Sequence, residues 1–313
     1  MANRTQLHVL FVRSGNNGVD PISTNQGLSL FENGLKVTYF DIVGKGVIGY
    51  LRNIPELRKY IRESNCDLIH AHYSFSGIIA SLTCTKKVVC SLMGSDIYSS
   101  RLGRWFLKIF SHICWSATIV KSERSAVDFG LKSIKIIPNG INLTKFRTIE
   151  KSEARKRLGW TQGKIILFGA DPQRSEKNYD LFDRALQITN NENITIKHLF
   201  NVNNSEVPFW MSAADVLVLT SKWEGSPNVI KEALACGCPI VATNVGDISE
   251  LISGVNGCYV SDFTPSDVAV KLELAIDYAI KNDRTNGREF IAFLDENIVA
   301  RKLINVYHKV LNV

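Results

Sequence analysis

The chain has 313 residues, 45% hydrophobic and 21% charged, with a formal net charge of +7. That is an ordinary globular composition on a chain longer than one core usually fills, so two domains of roughly 150 residues are expected. Its apolar runs are short and interrupted, which excludes a bilayer-spanning helix, and its positive balance calls for an anionic partner: a phosphate-bearing ligand, a membrane surface or nucleic acid.

The opening residues lead straight into a strand, so no signal peptide is expected. Strand 7–12 is followed by a helix that Ser23 or Thr24 can cap and that ends near Gly34. Strand 35–42, helix 54–63, strand 67–72 and strand 87–92 come next. A helix over about 102–114 and strands 117–121 and 134–137 close this series. Pro138, Asn139 and Gly140 break the pattern, and a charged helix over 150–158 precedes its restart. Strand 164–169, helix 179–188 and strands 195–200, 215–220 and 239–243 then follow. A short strand near Cys258 and helices over 266–280 and 298–311 complete the chain. Short apolar strands alternating with helices predict parallel, doubly wound sheets, which bind ligands beyond the carboxyl ends of their strands. Seven cysteines, an odd number without a C-x-x-C pair, lie in apolar settings such as Cys84, Cys90 and Cys114. They read as reduced core residues of a cytosolic protein and not as a disulfide frame or zinc site.

The most informative stretch runs over residues 221–243, SKWEGSPNVIKEALACGCPIVAT. Glu224 follows an apolar strand, and Glu232 stands eight positions later inside the next helix. Between them, Ser226 suits an N-cap and Pro227 the first helical position. Asn228 and Val229 follow, so the helix opens at a defined point whose free N–H groups seat phosphate. Gly225 lets backbone approach a ligand closely. A carboxylate on each side of an anion seat is an arrangement for a phosphorylated polyol, one Glu accepting from sugar hydroxyls and the other from a ribose.

These residues resemble the retaining glycosyltransferases of family 4. That family's signature is two Glu separated by seven residues, embedded here in the EGSPN run, the EALACG helix and the VGDISE segment over 245–250. The resemblance implies the GT-B fold: two Rossmann-like, doubly wound parallel-sheet domains facing a cleft, with a last helix crossing back to the first domain. The expected divisions are an acceptor-binding domain over 1–145, a nucleotide-sugar-binding domain over 146–295 and the returning helix over 296–313. The resemblance covers most of the second domain and scattered points of the first.

It also assigns expectations to individual residues. Strand 164–169 leads into a loop carrying Arg174 and Lys177, a fork of donors and a point charge suited to a diphosphate. The family has Arg directly after the Gly, where this chain has Ala170, so Lys177 transfers more directly than Arg174. At the end of strand 67–72, His72 matches a family His near the transferred sugar, while His70 is expected in the core. Asp96, in a turn where Met93 replaces the family His, is a candidate acceptor contact. Gly15 and Gly18 can turn backbone N–H groups toward a phosphate, although the family's adjacent Gly pair is missing. Catalytic roles therefore fall to Glu224, His72 and Lys177, and donor binding to Arg174, Lys177, Gly225, Ser226, Pro227, Asn228, Val229, Glu232 and Gly15.

No Asp-x-Asp is present, so no metal or other cofactor is expected; Lys177, Arg174 and the helix dipole would neutralise the leaving diphosphate. The helix over 101–115 sets Arg101, Arg104 and Lys108 apart from Leu102, Trp105, Phe106, Ile109 and Ile113. An anionic membrane surface is thus a candidate partner. Nucleic acid is not, for want of a basic patch interleaved with aromatic residues. The expected activity is retaining transfer of a hexose from a nucleotide diphosphate sugar, UDP-linked, to a glycan or lipid-linked acceptor in cell-envelope polysaccharide synthesis. The expected place is the cytoplasm or the inner face of the plasma membrane. The departures at Ala170 and Met93 favour a rival reading, a non-catalytic sugar-nucleotide-binding subunit.

Overall fold

Strand β1 (His8–Ser14) sends Val9 and Phe11 into one core cluster and Leu10 and Val12 into another, all four fully buried. Alternate side chains that are apolar on both faces mark a central strand of a sheet covered on both sides. It pairs in parallel with β2 (Lys36–Ile42) and β3 (Leu68–His72), and the sheet continues through β4 (Val88–Ser91), β5 (Ala117–Val120) and β6 (Ile134–Ile136). The strand order is β2-β1-β3-β4-β5-β6. The computed structural model describes residues 6–16, 18, 20–83, 85–94, 101–130, 134–161, 163–189 and 193–313, without the side chains of residues 101 and 102. Its contacts divide the chain into two units, residues 1–140 with 296–313, and residues 141–295.

In the first unit one face of the sheet is covered by Leu30 of helix Pro21–Glu32 and by Val299, Leu303 and Tyr307 of helix Glu296–Leu311. The last helix is therefore part of this unit's core. Tyr307 Oη lies 2.6 Å from His70 Nδ1, and Ser29 Oγ donates to the Glu296 carbonyl at 2.8 Å. The opposite face is covered by Leu57 and Ile61 of helix Ile54–Ser64, Ile79 of helix Ser74–Leu82 and Leu107 of helix Arg101–Ile113.

The cap expected at Ser23 or Thr24 is displaced. Asp20 caps the first helix instead, accepting from the N–H groups of Ile22 and Ser23, and Pro21 takes the first position. The two hydroxyls serve the buried Arg13 guanidinium, at 3.1 and 2.7 Å, while its Nε donates to Asp41 at 2.6 Å. A buried guanidinium needs several acceptors, and that demand overrides the local capping preference. Helix Ser74–Leu82 was not anticipated. It opens after Tyr73 at φ 72°, ψ 152°, a conformation that sequence pattern does not announce for a non-glycine residue.

The second unit repeats the plan with β7 (Lys164–Phe168), β8 (Ile194–His198), β9 (Val216–Leu219), β10 (Ile240–Thr243) and β11 (Cys258–Ser261), ordered β11-β10-β9-β7-β8 and all parallel. Its charged leading helix, Lys151–Leu158, is anchored by Asp215. That carboxylate takes Lys151 Nζ at 2.9 Å, Arg155 at 2.7 Å and the Ile165 N–H at 2.7 Å. From β7 the chain steps to β8 on one side and places β9 on the other. The order thus reverses between β7 and β9, where open parallel sheets present their ligand crevice.

Tyr307→Phe keeps the ring and leaves a buried His70 nitrogen without its partner. The urea midpoint of the first unit should fall, with a loss of about 1–3 kcal/mol; an unchanged midpoint would refute that role.

Candidate functional site

At the reversal point of the second sheet the loops after β7 and β9 are sewn together. Thr220, just past β9, donates to the carbonyls of Lys177 and Asn178 at 3.2 and 3.0 Å, and the Lys222 N–H donates to the Glu176 carbonyl at 2.8 Å. Thr243, ending β10, donates to the Ser221 carbonyl at 2.7 Å. This frame brings Lys177 Nζ to 2.5 Å from Glu224 Oε1, each side chain only 14% exposed. Ser221 Oγ donates to the same oxygen at 2.7 Å. Both bonds fall on Oε1, so Oε2 keeps its acceptor capacity among the described residues.

Gly246, at φ +60°, lets the turn after β10 press on this loop. A Cβ there would stand 2.6 Å from the Gly225 carbonyl oxygen and 3.0 Å from that of Glu224. Neither Ser221 nor Gly246 was singled out from sequence. The signal available for Gly246 was its place in the 245–250 segment already matched.

The helix after Gly225 is Asn228–Ala235, one residue later than expected: Pro227, extended at ψ 121°, is the N-cap, and no side chain caps the helix. Ser226 is therefore not the cap. It lies instead beside Asp247, whose carboxyl burial pushes up, with Lys231 and the Ser226 hydroxyl drawing it back. The buried Asn228 Oδ1 has no hydrogen-bond partner among the described residues. Val229 packs over Gly169, whose Cβ would meet Val229 Cγ2 at 3.2 Å, so the helix start lies against the end of β7.

On the same helix Lys231 is fully buried, and burial lowers its ammonium to about 8 against the upward pull of Asp247 and Glu232. Glu232 is partly exposed yet enclosed enough that burial pushes its carboxyl up to about 7, opposed by Lys145 and Lys231. Arg174 does not join this group. Its guanidinium turns to Glu176, with Nε 2.7 Å from Oε1 and the side chain 58% exposed.

The first unit has its own polar centre at the end of β3. His70 is a core residue as expected, held by Tyr307 Oη and by Ser91 Oγ at 2.8 Å. His72 stacks on it, ring centroids 4.5 Å apart, and neither of its ring nitrogens has a partner among the described residues. Burial holds its pKa well below the usual value, with His70, Lys121 and Arg13 adding to the effect, so the ring is neutral at pH 7. Gly15 departs from its expected use. Its N–H donates to the Ile42 carbonyl at 2.8 Å and is not available to a phosphate; its missing Cβ makes room for Asp41 and Val43. Asp96 lies outside the described residues. Among the described residues no group of three His, Cys, Asp or Glu side chains is placed to hold a metal, and no helix is long and apolar enough to cross a membrane.

Comparison with known proteins agrees with this division. The family described as Glycosyl transferases group 1 matches residues 148–277, and that described as Glycosyl transferase 4-like matches residues 7–123. An uncharacterized glycosyltransferase of Methanocaldococcus jannaschii is 30% identical over 278 residues, 78% of this chain and 76% of that one. A UDP-Gal:α-D-GlcNAc-diphosphoundecaprenol α-1,3-galactosyltransferase of Escherichia coli is 24% identical over 242 residues, 62% of each chain. The crystal structure of Anabaena HepE in complex with UDP-glucose superposes with a TM-score of 0.78 at 18% identity, covering 97% of this chain and 100% of that one. The two parallel-sheet units are those of the GT-B fold, and the chain belongs to the group 1, family 4-like glycosyltransferases.

Proposed function

We propose that the chain moves a hexose from a nucleoside diphosphate sugar, UDP-linked, to a hydroxyl of a glycan or lipid-linked acceptor in cell-envelope polysaccharide synthesis, with retention of anomeric configuration. The observation that carries the donor site is Glu224: one carboxylate oxygen pinned by Lys177 and Ser221, the other open. The open oxygen accepts from hexose hydroxyls. Lys177, fixed beside it, carries the positive charge for the diphosphate, and the uncapped start of helix Asn228–Ala235 presents N–H groups to the same anion. Glu232 accepts from the ribose hydroxyls. In the first unit the neutral His72 ring offers a hydrogen-bonding group at the end of β3. Support comes also from HepE, whose structure holds UDP-glucose, and from the E. coli relative, which uses UDP-Gal and a lipid-diphosphate acceptor.

Charge on the leaving diphosphate grows as the glycosidic bond breaks, and preorganised donors act on it without reorganising. Lys177 and the helix start fill that role here, so the site as proposed needs no divalent cation. Turnover should survive dialysis against EDTA.

Incubation with UDP-hexoses and measurement of UDP release tests the reading. One hexose should support release, Lys177→Ala should lower kcat on the order of 100-fold, and Glu224→Ala should abolish release. Tight binding of every donor without any release, in the presence of varied acceptors, would instead identify a binding subunit.

Glu232 gives a pH test. Its folded-state carboxyl, near 7, lies above the ordinary 4.5, so the unfolded chain releases this proton first. Folding is therefore favoured when the group is protonated, and stability is lost as pH rises from about 4.5 to 7. Glu232→Gln should raise Tm relative to the parent at pH 8, with the gain shrinking toward pH 4.5. A sugar nucleotide has no phosphate titrating near pH 6, so UDP-hexose affinity should tighten from pH 6 to pH 8 as the carboxylate forms and flatten in Glu232→Gln. A flat profile in the parent protein would remove Glu232 from the ribose site.

A further inference from the structure

Beyond β1, between helices Gly46–Leu51, Ser74–Leu82 and Arg101–Ile113, the first unit holds a cavity of about 880 Å³. That is within the range of pockets enclosing whole ligands. Its walls include Val47, Leu51, Phe75, Ile78, Phe106 and Phe110. Four of these are open to solvent, Val47 at 58%, Phe75 at 51%, Phe106 at 48% and Leu51 at 40%. Ile48, Trp105 and Ile113, exposed on the same helices, add further apolar surface. On helix Arg101–Ile113 the aromatic residues Trp105 and Phe106 face solvent more than Arg104 and Lys108 do.

The polar side chains at the inner end of the cavity are engaged. Tyr50 donates to Ser14 Oγ at 3.0 Å, and Asp20 is occupied by the N–H groups of Ile22 and Ser23. A sugar bound here would lose its hydration to walls that return few hydrogen bonds. A hydrocarbon chain would lose nothing by entering, and each buried methylene would contribute ~0.8 kcal/mol. The lining includes Ser14 and Tyr73, where β1 and β3 end beside the order reversal of the first sheet; a chain seated here leaves its head group at that crevice.

We infer that this cavity takes the hydrocarbon chain of a lipid-linked acceptor, so that the acceptor is recognised by its lipid as well as its sugar. The inference rests on the transferase reading above and narrows its acceptor class.

The test is calorimetry of the full chain with n-alkyl phosphates of roughly eight to fourteen carbons below their micellar concentrations. Affinity should tighten roughly four-fold per added methylene until the cavity is full, the factor that ~0.8 kcal/mol gives. Val47→Glu and Phe75→Glu, at solvent-exposed wall positions, should flatten the series. Thermal shift with UDP-glucose on the same samples reads the second unit separately and should be unchanged in both variants. A parent protein without chain-length dependence overturns the inference even where the UDP-glucose shift persists. So does a dependence that both variants retain, or a parent dimer that either variant splits. Loss of the UDP-glucose shift in every sample would instead sink the donor assignment and leave the alkyl series to stand on its own.

Discussion

The ion pair between Lys177 and Glu224 is the constraint on which the second unit's site depends. It joins segments 47 positions apart, one following β7 and the other β9. These strands are neighbours in the sheet although another strand separates them in sequence. Two mostly buried opposite charges stabilise each other only when their geometry is fixed, and removing one leaves the other uncompensated at a cost of about 3–5 kcal/mol. The Thr220, Lys222 and Thr243 bonds supply that geometry from backbone carbonyls, which do not titrate or reorient. In the proposed donor site, a sugar hydroxyl would meet at Glu224 an acceptor already oriented, with its charge already balanced and the ordering cost met by folding.

The helix that follows sets a second kind of balance. Lys231, Glu232 and Asp247 are enclosed together, and burial moves each toward its neutral form while its neighbours pull it back. The result is a group of side chains whose charges are conditional on one another. Close approach makes this possible. Gly246 presses the turn after β10 onto the carbonyls of residues 224 and 225, and Gly169 admits Val229 over the end of β7. Enclosure raises the weight of every charge in the pocket, because less water remains to screen it.

Much of this was legible in the sequence for identifiable reasons. Strands buried on both faces write near-continuous apolar runs, so β1, β3, β7, β9 and β10 were found within a residue or two. Glu224, Lys177 and Glu232 were singled out because their types and spacing are chemical, and Lys177 and Glu224 do meet in the structure. That pairing was not legible, since a 47-residue separation carries no local signal. Arg174 was expected beside Lys177, but a loop cation has no period, and its guanidinium pairs with Glu176, two residues away. The cap displaced from Ser226 to Pro227 reflects backbone geometry, which places Pro227 in an extended conformation. Gly15 was read for its permissiveness alone, whereas its N–H had been claimed by a neighbouring strand.

The hydroxyl of Tyr307 against His70 has a consequence for how this molecule is made. The first sheet emerges from the ribosome early, yet one of its faces is only partly covered, by helix Pro21–Glu32, until residues 296–313 have been synthesised. At about 5–20 residues per second, the intervening segment delays that closure by roughly 8–30 s. During this interval residues 141–295 can form their own core, so the unit encoded later is the one able to finish first. Val9, Phe11 and Leu68 meanwhile stand as an apolar surface awaiting its cover, and nascent chains stalled in that window are the form most in need of a chaperone.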